Sequence, residues 1–145
     1  MKISTKGRYA LHMLVDLAEH CEEGFVSLKE IAERQKISKK YLEQIIPILN
    51  VSGILKTNRG SQGGYKLAVA PEKCSVGQIL RLTEGSLAPV ACLENEPNEC
   101  PKLENCDTIF IWEGLYETIA NYLDSISIKD IVDRKRGIGQ DNYVI

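Results

Sequence analysis

With 145 residues, 43% of them hydrophobic, the chain has enough apolar material for one buried core with an added element and too little for several domains. Its apolar stretches are amphipathic and broken by charge, and the run from Met1 to Ala10 has no apolar segment ending in a small-residue cleavage site, so the expectation is a cytoplasmic protein with no membrane span. The net charge of -2 hides an asymmetry: residues 1–66 carry 11 Lys/Arg against 7 Asp/Glu, and residues 67–145 carry 7 against 13, so a polyanionic partner would meet the N-terminal half.

Along residues 4–20, Tyr9, Leu11, Met13, Leu14, Leu17 and Ala18 wrap one broad helical face, with Asp16, Glu19 and His20 largely off it. Gly24 breaks this first helix. Ser27-Leu28-Lys29-Glu30 then reads as a capping box opening a second helix that runs to about Gln35. After Lys36-Ile37, Ser38 is a good N-cap for a third helix from Lys39 to about Val51, followed by Gly53. Pro47 lies inside it, so a kink or an early 3-10 ending is expected. Residues 54–58 and 65–69 read as strands flanking Arg59-Gly60-Ser61-Gln62-Gly63-Gly64, a glycine-rich hairpin tip that makes a wing.

Beyond Pro71, Ser75 caps a short helix that Gly85 ends, and residues 86–106 read as a long loop. From Asp107, the pattern Ile109, Trp112, Leu115, Tyr116, Ile119, Tyr122, Leu123 predicts a long amphipathic helix. Its Trp112, Tyr116, Ile119 and Leu123 stripe exceeds what one small domain covers, which predicts a homodimer with this helix at the interface. A short last helix from Ser127 to about Asp133 precedes a tail. The expected fold class is therefore mainly α with a small β-wing: a winged helix-turn-helix over residues 1–85, a cysteine-bearing loop over 86–106, dimerisation helices over 107–135 and a tail over 136–145.

Two short helices joined by a tight turn and followed by a glycine-tipped hairpin suit double-stranded DNA. The exposed face of the third helix would carry Lys39, Lys40, Tyr41, Glu43 and Gln44 into the major groove. There glutamine can pair with adenine, glutamate can accept from cytosine, and lysines anchor on phosphate. Arg59 suits a narrow minor groove, with Gly60 and Ser61 letting backbone approach the sugar-phosphate edge. Each charge taken singly is equally well a solvated helix face, and winged helices also serve as protein-interaction modules without DNA. No phosphate-cradling loop, nucleophile-histidine pairing or deaminase-type zinc motif is present, so an enzyme is not expected.

Five cysteines, at 21, 74, 92, 100 and 106, are an odd number that argues against a disulfide framework. Cys92, Cys100 and Cys106 fall within 15 residues and offer three soft thiolates, enough for an iron-sulfur cluster or zinc once a fourth group joins. That group could be Asp107, Glu104, a residue of a partner chain or an exogenous thiol. The surrounding acids would raise the thiol pKa values unless a bound cation reverses the effect. Cys21 and Cys74 read as isolated surface or packed residues, and His12 and His20 share no metal-ligand spacing with a cysteine.

The runs Ser4-Thr5-Lys6-Gly7-Arg8-Tyr9-Ala10, Tyr41-Leu42-Glu43-Gln44 and Arg59-Gly60-Ser61-Gln62-Gly63-Gly64-Tyr65 resemble the signatures of the Rrf2 family of bacterial winged-helix transcription regulators. The resemblance spans about residues 1–133 and is most specific in the first 70. It implies a homodimeric repressor or activator, with the third helix in the major groove, the wing in the minor groove and the long C-terminal helix crossing its mate. In the iron-sulfur-sensing members three cysteines before that helix bind a cluster, usually 2Fe-2S, and by position these correspond to Cys92, Cys100 and Cys106. The chain departs from that pattern in a longer first spacing and in Ile109, which stands where those members have a histidine ligand. Arg8 stands where some relatives have a ligating aspartate. Other members regulate cysteine metabolism without the triad and respond through a protein partner.

Overall fold

The computed structural model describes residues 1–141, with side chains described as far as residue 138. Helix α1 (Thr5–Glu19) opens on Ser4, whose side chain accepts from the Gly7 amide. Helix α2 (Leu28–Gln35) opens on the expected capping box: the Glu30 amide donates to Ser27 Oγ, and Glu30 Oε2 accepts from the Ser27 amide at 3.0 Å. Lys36 ends α2 in the left-handed region at φ 55°, and Ser38 caps α3 (Lys39–Val51) through the Tyr41 amide. Strands β1 (Leu55–Asn58) and β2 (Gly64–Leu67) pair antiparallel with Asn58 opposite Gly64, and α4 (Val76–Glu84) runs from Ser75 to Gly85. Helices α5 (Ile109–Asp124) and α6 (Ile128–Asp141) complete the described residues.

One core gathers Met13, Leu14 and Leu17 of α1, Ile31 of α2, Leu42, Ile45 and Leu49 of α3, Ile79 of α4, and Ile128 and Val132 of α6. Helix α1 is its axis, because burying residues at steps of three and four gives it apolar contact on several sides. The C-terminal segment is stitched to α4 by a two-bond bridge: the Val76 amide donates to the Ile126 carbonyl and the Ile128 amide to the Cys74 carbonyl. A smaller cluster of Val76, Leu80 and Leu87 receives Tyr116, Ile119 and Leu123 from α5.

Four expectations are corrected. Pro47 does not end α3: it lies on the exposed face, where the Glu43 carbonyl that loses its partner can turn to water, and the helix continues to Val51. Residues 136–141 are not tail but the last turns of α6, whose Ile131 and Val132 pack on the core and propagate the helix past Asp133. Residues 142–145 lie outside the described residues. Asp16 is not off the buried face but fully buried. The apolar side that α5 leaves open is not the Tyr116–Leu123 part of the expected stripe. Tyr116, Ile119 and Leu123 pack within the chain, whereas Phe110, Leu115 and Tyr122 are 70%, 42% and 65% exposed. No residue of α5 is fully buried.

Candidate nucleic-acid interface and cysteine loop

Helix α3 is amphipathic by construction. Leu42, Ile45, Ile46 and Leu49 are buried, which turns Lys39, Lys40, Glu43 and Gln44 outward, and all four are exposed. Tyr41 is only half exposed because its ring meets Tyr9 of α1 edge-on, at 5.1 Å between centroids. It therefore fixes α3 against α1 in addition to flanking the polar face. Arg59, Gly60 and Ser61 are exposed at the hairpin tip, where Gly60 takes φ 112° and the Gly63 amide donates to the Gly60 carbonyl to close the turn.

Two ties hold the wing beside α3, and sequence reading missed both. Thr57 of β1 donates its hydroxyl to Asn50 Oδ1 of α3 at 3.1 Å. On the other side of the hairpin Val26 exchanges two backbone bonds with Tyr65, at 2.8 and 2.9 Å, and so adds a third extended segment next to β2. Gly64 makes this possible, since a Cβ there would collide with the Val26 carbonyl. Val26 precedes the α2 cap, so the wing root and the helix-turn-helix share one anchor. Lys66 lies 5.0 Å over the Phe25 ring.

The turn between α2 and α3 is held from beneath by Asp16. Arg34 donates from Nε and Nη2 to its two oxygens, at 2.9 and 2.7 Å, and Gln35 Nε2 adds a third bond at 2.9 Å. Burial by itself would raise the Asp16 pKa, but the Arg34 and Gln35 hydrogen bonds, with the charges of Arg34 and His20, outweigh it and hold the carboxyl below its usual range. These partners lie 18 and 19 residues away, so no local pattern announces them.

The cysteine loop contains two short 3-10 turns, Ala91–Leu93 and Leu103–Asn105. Cys92, Cys100 and Cys106 are free thiols of intermediate exposure; Cys21 is exposed and Cys74 buried, with burial pushing the Cys74 thiol up to about 11. Contrary to the expectation from acidic surroundings, the Cys106 thiol is lowered. The Thr108 hydroxyl, 3.7 Å from Sγ, is the main cause, followed by the Thr108 amide, and Asp107 opposes it. The donor set suits an iron-sulfur cluster in kind: three accessible soft thiols on segments free of long helix or strand. The single chain does not assemble them, since among the described residues no three His, Cys, Asp or Glu side chains gather in a way that could hold a metal ion. Ile109 and Arg8, at the two positions where the resemblance implies a fourth ligand, offer neither a thiol, an imidazole nor a carboxylate. No described helix is long and apolar enough to cross a membrane.

A family model described as Rrf2, an iron-dependent transcriptional regulator, matches residues 3–134. The HTH-type transcriptional regulator CymR of Bacillus subtilis (strain 168) is 39% identical over 137 residues, covering 94% of each protein. Among solved structures, that of T. potens IscR shares 41% identity at a TM-score of 0.74, over 93% of this chain and 88% of its own. The structure of CymR (YrzC), the global cysteine regulator of B. subtilis, shares 35% identity at a TM-score of 0.76, over 92% and 98%.

Proposed function

Since this chain belongs to the Rrf2 family of transcriptional regulators, a class without enzymatic activity, we propose that it acts as a homodimer on double-stranded DNA, with α3 in the major groove and the wing in the minor groove. The observation that carries this reading is the outward face of Lys39, Lys40, Glu43 and Gln44 on a helix that follows the Asp16-anchored end of α2 and whose wing is tied to it by Asn50 and Thr57. Tyr41 orients that face. Lys39 and Lys40 contact phosphate, Glu43 and Gln44 read base edges, and Arg59, Gly60 and Ser61 follow the minor groove. Two copies joined through the open side of α5 present two such units, so the operator is a pseudo-palindrome. Selection of an operator from random duplex DNA, followed by footprinting, tests this. Two protected half-sites one helical turn apart, or a multiple of that, support it, and binding to no duplex sequence overturns it.

The sensing element is the loop of residues 86–106, with Cys92, Cys100 and Cys106 holding an iron-sulfur cluster, of the 2Fe-2S type, completed by a ligand from elsewhere. A cluster bound there supplies an iron centre whose oxidation and loss depend on oxidants and iron supply. The chain contributes three thiols, the Thr108 hydroxyl that favours the Cys106 thiolate, and a loop that leads directly into α5. Occupancy of the loop is thereby linked to the helix that joins two copies. A second reading rests on the 39% identity to CymR: a regulator of cysteine metabolism with no cluster. The visible spectrum and iron content of anaerobically purified protein separate the two.

A further inference from the structure

Among the described residues one buried side-chain polar atom has no hydrogen-bond partner, Nδ2 of Asn98, and it lies in the cysteine loop between Cys92 and Cys100. Its carboxamide has a single orientation: the atom that accepts from the Cys100 amide at 2.9 Å must be Oδ1, since a side-chain amide nitrogen only donates. Nδ2 is thereby held close to Cys100 with its N–H bonds unclaimed. Asn98 lines a groove between the loop and α5 together with Glu96, Glu113 and Glu117, yet none of these carboxylates accepts from it. A buried N–H left unpaired costs about 1–3 kcal/mol, so a folded chain that keeps one has a use for it.

We propose that Asn98 is a positioning residue of the cysteine loop: its Oδ1 orients Cys100, and its Nδ2 donates a hydrogen bond to a sulfur of the iron-sulfur cluster, which raises the reduction potential there. This rests on the reading of the loop as a cluster site. Cysteinyl and inorganic sulfurs accept N–H bonds, and those bonds, with net charge and exposure, set the potentials of iron-sulfur centres. One-electron reduction adds negative charge and breaks no bond, so a donor aimed at sulfur favours the reduced form. The carboxylates of Glu94, Glu96, Glu99 and Glu104 in the same loop act in the opposite sense. Because Oδ1 ties the carboxamide to the Cys100 backbone, the donor travels with that ligand when the three thiols, which the single chain does not assemble among its described residues, are drawn together.

The test uses the full chain, reconstituted anaerobically with iron and sulfide, beside two variants. Asn98→Asp keeps an oxygen for the Cys100 amide and removes the donor, whereas Asn98→Ala removes both. The aspartate variant should load iron to the parental level, and the alanine variant should lose it faster. In both, the reduced-to-oxidised ratio at the parent's midpoint should fall about tenfold, a move of about 59 mV to more negative potential for a one-electron couple. The aspartate's charge lowers the potential by itself, so the second readout is independent of charge: exchange into D2O should shift the Fe–S stretching bands of the parent in resonance Raman spectra, and shift them less in both variants. Should neither variant load, the dithionite-reduced parent carrying 15N in its asparagine side-chain amides still decides, because pulsed EPR should show a 15N coupled to the cluster. Loaded variants that keep the parental D2O shift, an Asn98→Ala protein that keeps the parental midpoint, or a reduced parent with no coupled side-chain 15N each overturn the proposal and leave the cluster reading standing. A parent that takes up no cluster overturns both.

Discussion

Arg34 holds Asp16 by two parallel hydrogen bonds, and the pair joins the end of α2 to the last turn of α1 with the aspartate fully out of solvent. A buried pair of this kind adds little over a well-packed apolar substitute, but removing one partner strands the other. Arg34→Ala, which strands the buried carboxylate, should destabilise the protein by about 3–5 kcal/mol in urea unfolding, and Asp16→Ala, which leaves a partly exposed guanidinium able to reach water, should cost less. The pH dependence has a definite sign. Because the folded-state pKa of Asp16 lies below the unfolded value near 3.8, its contribution is fully present above that value and is lost as pH falls through the folded one. The parent's urea midpoint should therefore drop below pH 4 more steeply than that of Asp16→Asn.

On the DNA face, Lys39→Ala and Lys40→Ala should each weaken operator binding and reduce the slope of log affinity against log salt by about one, as expected for one phosphate contact each. Arg59→Ala should weaken binding as well. Gln44→Ala should instead relax the preference at one base pair, at about 1–3 kcal/mol of discrimination, and leave the salt slope unchanged. Fluorescence anisotropy across a salt series checks all four, and a triple variant Lys39→Ala/Lys40→Ala/Arg59→Ala with parental affinity would show the interface to lie elsewhere.

The two sides of α5 should answer differently to substitution. Phe110→Glu and Leu115→Glu place charge on the open side and should convert a dimer to a monomer at micromolar concentration, as read by sedimentation, without loss of helix content. Ile119→Ala, on the side packed over Val76 and Leu80, should leave the mass unchanged and cost about 1–2 kcal/mol of stability, less than a fully buried aliphatic because Ile119 is only partly covered.

For the loop, anaerobically reconstituted protein should absorb in the visible region. Alanine at Cys92, Cys100 or Cys106 should abolish or destabilise the chromophore, while Cys21→Ala should leave it intact. A colourless protein holding stoichiometric zinc keeps the site and removes the cluster, whereas protein that binds no metal favours a cluster-free regulator of the CymR kind.

Features written in neighbouring residues were legible in the sequence: the Ser27/Glu30 capping box, the Ser38 and Ser75 caps, the Arg59–Gly64 hairpin tip and the outward set on α3. Each depends on contacts within a few residues. Long-range contacts were not legible. The burial of Asp16 depends on Arg34 and Gln35, and the third extended segment depends on Val26 meeting Tyr65 across 39 positions of chain. The misplaced face of α5 has another origin. Ile111, Leu115 and Tyr122 adjoin Tyr116, Ile119 and Leu123 in one apolar sector wide enough for two contacts, and periodicity then cannot say which part of it faces home. The early end assigned to α6 belongs with the long-range contacts, because it is the docking of Ile131 and Val132 on the core around α1 that carries the helix past Asp133.

The bridge between Ser75 and Ser127 bears on the order in which the protein can be made. Ile128, whose amide closes that bridge, is wholly enclosed in the core around α1, although it is translated more than a hundred residues after α1. On the ribosome the first helix must wait for nearly the last. Until residue 128 has emerged, the α1 surface that Ile128 and Val132 cover stays wet, and the nascent N-terminal half carries its basic face before it has a finished core.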